Sequence, residues 1–370
     1  MTPTERYQAD VARGKITTDP EQTRVIGLLS DLSRGLQDRV QPAKGAWLQR
    51  LIVAARTRTT SLEPLQGIYL WGGVGRGKTY LMDLFFASVE GSSKLRTHFH
   101  RFMQDVHRRL ADLQGTTDPL ETIADELAER ATLICFDEFY VSDIGDAMLL
   151  GGLLKALLDR DVVLVATSNV PPHELYENGL QREKFLPAIA SIEHHCQVVE
   201  VDSARDYRLE RLSATELYLF PQNPAVDEQL RASFFELASD TAAIRESGML
   251  SLLGRELKTI LVAEDQVWFS FDELCGGPRS AFDYVELAKL YRTVFLSGVP
   301  VLDEEANDCA RRFISLVDEL YDRRVQLIMA AEDDVHQLYA GQSLAFEFER
   351  TQSRLMEMRS REYLGREHLL

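Results

Sequence analysis

Apolar positions change their spacing along the chain, and each change predicts an element. Val25, Leu28, Leu29, Leu32 and Leu36 recur at helical spacing. They follow Asp19-Pro20-Glu21-Gln22, which has the form of a helix start with Asp19 as N-cap and Pro20 at the first helical position. A further helix is predicted over 45–56, closed by the polar stretch Thr57-Arg58-Thr59-Thr60-Ser61. From Gly67 onward, short apolar runs at 68–71, 95–99, 132–136, 162–166 and near 197–201 read as strands. Helices are predicted between them at 80–86, 102–113, from the turn at 115–119 to about 130, over 144–158, and briefly after Pro171-Pro172. Strands that are nearly all apolar, alternating with helices, predict an α/β fold: a parallel sheet covered on both faces. Gly151-Gly152 costs on the order of 1 kcal/mol per glycine inside a helix, so close packing on the sheet is expected there.

Past about Asp206 the pattern changes. Residues 221–224 read as a linker, and 257–262 and 267–271 as strands pairing around 263–266. Helices are predicted over 282–291, 307–321 and 348–363. A strand at 293–296, a helix and a strand at 325–329 echo the order of 132–166, but Ser297 and Gly298 stand where that segment has acids. A degenerate second nucleotide-type fold and a coincidence of two apolar patterns both fit. A chain of 370 residues exceeds one compact core. The division read from the pattern is an N-terminal helical segment at 1–60, a P-loop core at 61–206 and a C-terminal α/β domain at 207–370.

Composition narrows the class. The net charge is −17 and the pI about 5.0, which disfavours non-specific binding to nucleic acid or anionic lipid. Cys135, Cys196, Cys275 and Cys309 are widely spaced and form no C-x-x-C pair, as expected of reduced thiols in a cytosolic protein. No run is long and apolar enough to span a bilayer, and the start lacks the apolar segment of a secretory signal. His194-His195-Cys196 has no matching ligand pair elsewhere, so no metal site is expected there. Cys135 reads as core, and His98 and His100 as sharing one face of a strand.

The chemistry is carried by Gly72-Gly73-Val74-Gly75-Arg76-Gly77-Lys78-Thr79, a complete G-x-x-x-x-G-K-T loop between an apolar strand and a helix. Its glycines let the backbone wrap a triphosphate with N–H groups pointing inward, and the helix start adds partial positive charge. Lys78 suits the β and γ phosphates, and the Thr79 hydroxyl suits Mg²⁺. Leu133-Ile134-Cys135-Phe136 ends in Asp137-Glu138. Asp137 suits the metal, and Glu138 suits orienting or deprotonating a water. Asn169 ends the next strand and suits the γ-phosphate or the attacking water. Arg182, in Gly179-Leu180-Gln181-Arg182-Glu183-Lys184-Phe185-Leu186-Pro187, suits entry into a neighbouring subunit's site, with a surface ion pair as the alternative. Arg350 and Arg354 are candidates for nucleotide sensing from the C-terminal domain, or for helix-surface ion pairs. Tyr7 and Gln22 are candidates for the adenine contact.

With these residues in hand, the chain resembles the ZapE family, bacterial cell-division ATPases of the AAA+ class related to the mitochondrial lactation-elevated ATPases. The likeness is carried by residues 69–79, Cys135-Phe136-Asp137-Glu138-Phe139, Ala166-Thr167-Ser168-Asn169, residues 175–182 and Phe348-Glu349-Arg350-Thr351. Phe271-Asp272-Glu273-Leu274-Cys275 and residues 313–318 fit as well. The resemblance implies a P-loop AAA+ fold, ATP and Mg²⁺ as ligands, and action on the division ring through the tubulin-like GTPase FtsZ. The start lacks a mitochondrial-type presequence, which favours the bacterial branch. A nucleotide-dependent homo-oligomer in the cytoplasm, recruited to the division site, is the expected form. Hydrolysis would then change the angle between the two domains. A nucleotide-gated binding module with slow turnover and a DNA-loading ATPase stand as alternatives.

Overall fold

The computed structural model describes residues 1–14, 16–40, 65–91, 93–141, 143–203, 209, 212, 215–238, 244–366 and 368–369. The helix predicted at 45–56 and the polar stretch after it lie outside the described residues. The chain divides into two compact units, Met1–Arg205 and Asp206–Leu370.

The first unit begins with helices α1 (Pro3–Ala12) and α2 (Pro20–Val40). Asp19 caps α2 as its sequence predicts: its Oδ1 accepts from the backbone N–H groups of Glu21 (2.8 Å) and Gln22 (3.1 Å). Then follow β1 (Gly67–Trp71), α3 (Lys78–Ser88), β2 (Lys94–His98), α4 (Phe99–Asp112), α5 (Pro119–Arg130) and β3 (Leu133–Asp137). The unit closes with α6 (Ile144–Leu158), β4 (Val163–Ser168), α7 (Leu186–His195) and β5 (Cys196–Glu200). The sheet is parallel, in the order β2-β3-β4-β1-β5.

Successive strand residues point to opposite faces, and here both faces are covered. Ile68, Leu70, Leu133, Cys135, Val163 and Val165 pack with Tyr7, Val25, Leu29, Leu81 and Phe85 from α1, α2 and α3. Tyr69, Ile134, Phe136, Leu164 and Ala166 pack with Phe99, Phe102, Leu150, Leu153 and Ile189 from α4, α6 and α7. That double burial explains the unbroken apolar runs. The N-terminal helices are thus part of the first unit's core.

Several details differ from the sequence reading. The strand at 94–98 ends at His98, and His100 lies in α4, because His98 (ψ 139°) is already the N-cap of that helix. Helix α7 falls in a stretch for which no helix was predicted; Pro187 in its first turn is compatible with a helix start. Gly151 and Gly152 face helices rather than the sheet, their nearest neighbours being Ala188 of α7 and Leu120 of α5.

The second unit carries a sheet in the order β6 (Tyr218–Leu219), β13 (Gln326–Ala331), β12 (Thr293–Val299), β11 (Gln266–Ser270), β10 (Leu261–Val262), β7 (Arg245–Glu246). Strands β11, β12, β13 and β6 are parallel, with helices at Ala281–Leu290 and Asn307–Asp322 connecting β11 to β12 and β12 to β13. Residues 221–224 do not link the units. They lie inside the second one, where the Gln222 N–H donates to the Ala331 carbonyl and its Oε1 accepts from Gly298 N–H. Residues 257–262 are not one strand. β9 (Arg255–Lys258) folds back on β8 (Met249–Leu252) through Leu253-Gly254, both at positive φ (48° and 76°). Leu261 and Val262 instead pair with Trp268 and Val267. The predicted C-terminal helix breaks after Ala345–Met358, because Ser360 Oγ accepts from Tyr363 N–H and starts a new turn. Among the described residues no helix is long and apolar enough to cross a membrane.

Candidate active site

The carboxyl ends of β1, β3 and β4 build the site, the edge at which open α/β sheets bind ligands. The loop after β1 turns through glycines in backbone regions that a side chain resists: Gly72 at φ +148°, Gly75 at +76° and Gly77 at +85°. A Cβ on Gly72 would lie 2.5 Å from the Val201 carbonyl oxygen. Lys78 and Thr79 open α3.

Lys78 is 8% exposed. Its ammonium donates to the carbonyls of Gly72 (2.6 Å) and Gly73 (2.8 Å) and to Asn169 Oδ1 (3.0 Å). One bond therefore joins the loop after β1 to the residue that follows β4. Three acceptors around one ammonium match its three donors, and they hold a charge that burial alone would disfavour.

Asp137 ends β3 and is 1% exposed. Its Oδ2 accepts from Arg96 Nε at 2.6 Å, and Arg96 Nη1 pairs with Asp83 of α3 at 2.5 Å. Its Oδ1 accepts from the Thr167 hydroxyl at 3.4 Å. The backbone leaves the extended conformation at Glu138, which sits at φ +52°. Thr167 fixes this turn: its hydroxyl accepts the Glu138 N–H (3.2 Å) and its carbonyl accepts the Phe139 N–H (2.7 Å). Non-glycine residues held in the left-handed region cluster at functional sites. The Glu138 side chain is 25% exposed, against the buried Asp137, and lies 3.8 Å from His98 Nδ1. Burial pushes the thiol of Cys135, two residues upstream, far above its ordinary range, which suits a core residue.

The structure thus brings Lys78 and Asn169 into contact and sets Asp137, Glu138 and Thr167 at adjoining strand ends. It does not bring Arg182 into that group: the Arg182 guanidinium donates to the carbonyl of His173 on its own connecting segment. Arg350 and Arg354 belong to the second unit, where both pair with Asp318. Tyr7 is buried with its hydroxyl shared between the backbone N–H and carbonyl of Asp19. Gln22 reaches the loop itself, Nε2 donating to the Arg76 carbonyl at 3.4 Å. Arg96 and the fixing role of Thr167 escape sequence reasoning. The available signal was a polar side chain at 96, two positions before the end of a strand that borders β3.

Among the described residues, no group of three or more His, Cys, Asp or Glu converges as a metal cage. A magnesium ion needs none, since it takes one or two protein oxygens and completes its shell with phosphates and water. The Thr79 hydroxyl and the Asp137 carboxylate are hard oxygen donors of the kind it takes.

The model of the AFG1-like ATPases matches residues 1–367. The cell division protein ZapE of Escherichia coli K12 is 46% identical over 372 residues, covering 100% of this chain and 99% of that protein. The zebrafish lactation elevated protein 1 homolog B is 37% identical over 344 residues, 81% of this chain and 68% of that protein. An uncharacterized protein of Schizosaccharomyces pombe is 36% identical over 364 residues, 91% and 80% of the two chains.

Proposed function

The chain belongs to the AFG1-like ATPase family, and we propose that it cleaves Mg-ATP at the Gly72–Thr79 loop and acts through this on a protein of the division ring. That it is an ATPase follows from the family; the residue roles and the partner are our reading. The observation that supports these roles is the Lys78–Asn169 bond, which joins the ammonium of the loop to the polar side chain after β4.

In this reading the loop amides and Lys78 bind the triphosphate, and Lys78 exchanges its carbonyl partners for phosphate oxygens. Asn169 then orients the γ-phosphate or the attacking water. Glu138, partly open to solvent beside buried Asp137, accepts a proton from that water. Thr79 and Asp137 would hold a magnesium ion, which when bound would offset charge on the phosphate oxygens. Arg96 holds the Asp137 carboxylate in place from β2. Arg182 serves a neighbouring subunit in a nucleotide-dependent oligomer, after leaving the His173 carbonyl.

Replacing Lys78 by Ala is expected to abolish ATP binding. Glu138→Gln keeps binding and lowers turnover by about 10²- to 10⁴-fold, the usual worth of a general base. Turnover by Glu138→Gln at the parental rate refutes its role. The partner reading is supported by the 46% identity to ZapE across both chains. We take FtsZ as the partner, in the cytoplasm at the division site. Co-sedimentation with FtsZ polymers that depends on ATP is the expected result; equal recovery with and without polymer refutes it.

A further inference from the structure

We infer that Gln22 reads the nucleobase: its buried amide oxygen accepts the 6-amino group of adenine, so the site takes adenine and turns guanine away. The inference rests on the Gly72–Thr79 loop binding a nucleoside triphosphate.

The sheet order fixes where the base must go. β1 lies between β4 and β5. The γ-phosphate chemistry is on the β4 side, where Asn169 meets Lys78 and where β3 brings its two acids. A nucleoside joined to the other end of the triphosphate leaves the loop on the β5 side. The first turn of α2 stands there, tied down by Arg24 Nη2 to the Glu200 carbonyl (2.9 Å) and by Ser203 Oγ to Asp19 Oδ2 (2.6 Å). Gln22 belongs to that turn, is 1% exposed, and is bonded to the loop through Arg76.

Its amide can sit in one orientation. Turned over, Oε1 would face the Arg76 carbonyl, acceptor against acceptor. Nε2 is thereby committed to the loop, and Oε1 is left buried with no partner among the described residues. A buried acceptor without a donor is costly to keep, and native structures rarely do so without a use for it. Adenine offers an N–H donor at position 6. Guanine has a carbonyl there, which would set two acceptors together.

The test is calorimetric titration of the full chain, with magnesium, against ATP, GTP, 2′-deoxy-ATP and purine riboside triphosphate, which is ATP without its 6-amino group. The wild-type chain is expected to bind ATP about tenfold or more tightly than either GTP or purine riboside triphosphate, from the cost of an unmet buried acceptor. In Gln22→Leu, ATP and purine riboside triphosphate should bind within about twofold of each other. Equal wild-type affinity for the two overturns the inference with no variant needed. So does a Gln22→Leu chain that keeps the full preference, or one that loses discrimination against 2′-deoxy-ATP instead. Binding of all four triphosphates alike sinks the role of Gln22 and leaves the ATP site standing. Binding of none sinks both.

Discussion

Removing the Arg96 guanidinium tests how the buried acid of the site is held. The Asp137 side chain is 1% exposed and that of Arg96 10%, so their 2.6 Å bond is made away from water. Arg96→Met keeps much of the side chain's length and removes its charge. It leaves the carboxylate with the Thr167 hydroxyl at 3.4 Å. Deleting one partner of a buried pair costs about 3–5 kcal/mol, because the other charge stays buried. We expect the lower end, since Asp83, the second acid on Arg96, is 20% exposed and can turn to solvent. Asp137→Asn alone should cost about 1.5–3 kcal/mol, the worth of a charged hydrogen bond. The double variant should cost less than the two together by at least about 1.5 kcal/mol, because the second change no longer strands a charge. Hydrogen exchange under increasing urea, followed on peptides from β3 and from β13, reads the two units separately. Arg96→Met within about 0.5 kcal/mol of the parent at β3, with additive behaviour in the double variant, would refute the argument.

Asn169→Ala should lower ATP turnover by about 10²-fold while moving the ATP dissociation constant by a few-fold at most, as for loss of one group aimed at developing charge; a change confined to binding speaks against a sensor. Gly67→Ala places a Cβ 1.9 Å from the Leu164 carbonyl oxygen in the neighbouring strand, so urea denaturation should show a loss of at least about 1–3 kcal/mol. Glu304 accepts from the Gln342 and Ser343 N–H groups and from the Ser343 and Asn307 side chains, and these bonds hold its carboxyl at about 2, below the ordinary 4.5. A depressed carboxyl stabilises the fold above the ordinary value, and that contribution fades as pH falls from 4.5 toward 2. Carboxyl NMR should therefore find Glu304 still ionised at pH 4, and a midpoint near 4.5 would contradict the hold of these four bonds.

Much of the first unit was legible because its signals are local. The cap at Asp19, the helix at 144–158 and the strand ending in Asp137 each follow from residues a few positions apart. The α/β parallel-sheet fold followed from the alternation of apolar runs with helices. The second unit was less legible where pairing is set at a distance. Residues 257–262 read as one strand pairing around 263–266, but the turn at Leu253-Gly254 claims the first half and Trp268 the second. Nothing local distinguishes those partners. The buried bond of Lys78 to Asn169 could be guessed from motifs; the bridge from Arg96 to Asp137 could not, because it depends on β2 lying beside β3.

By itself the sequence determined the phosphate loop, the two acids at a strand end and the class of fold, since each is a pattern of neighbouring residue types with one physical meaning. Tertiary structure alone decided which side chains share that edge. It set Arg96 against Asp137, Thr167 beneath Glu138 and Gln22 against the loop, because strand order and helix docking bring together residues that chain spacing leaves far apart.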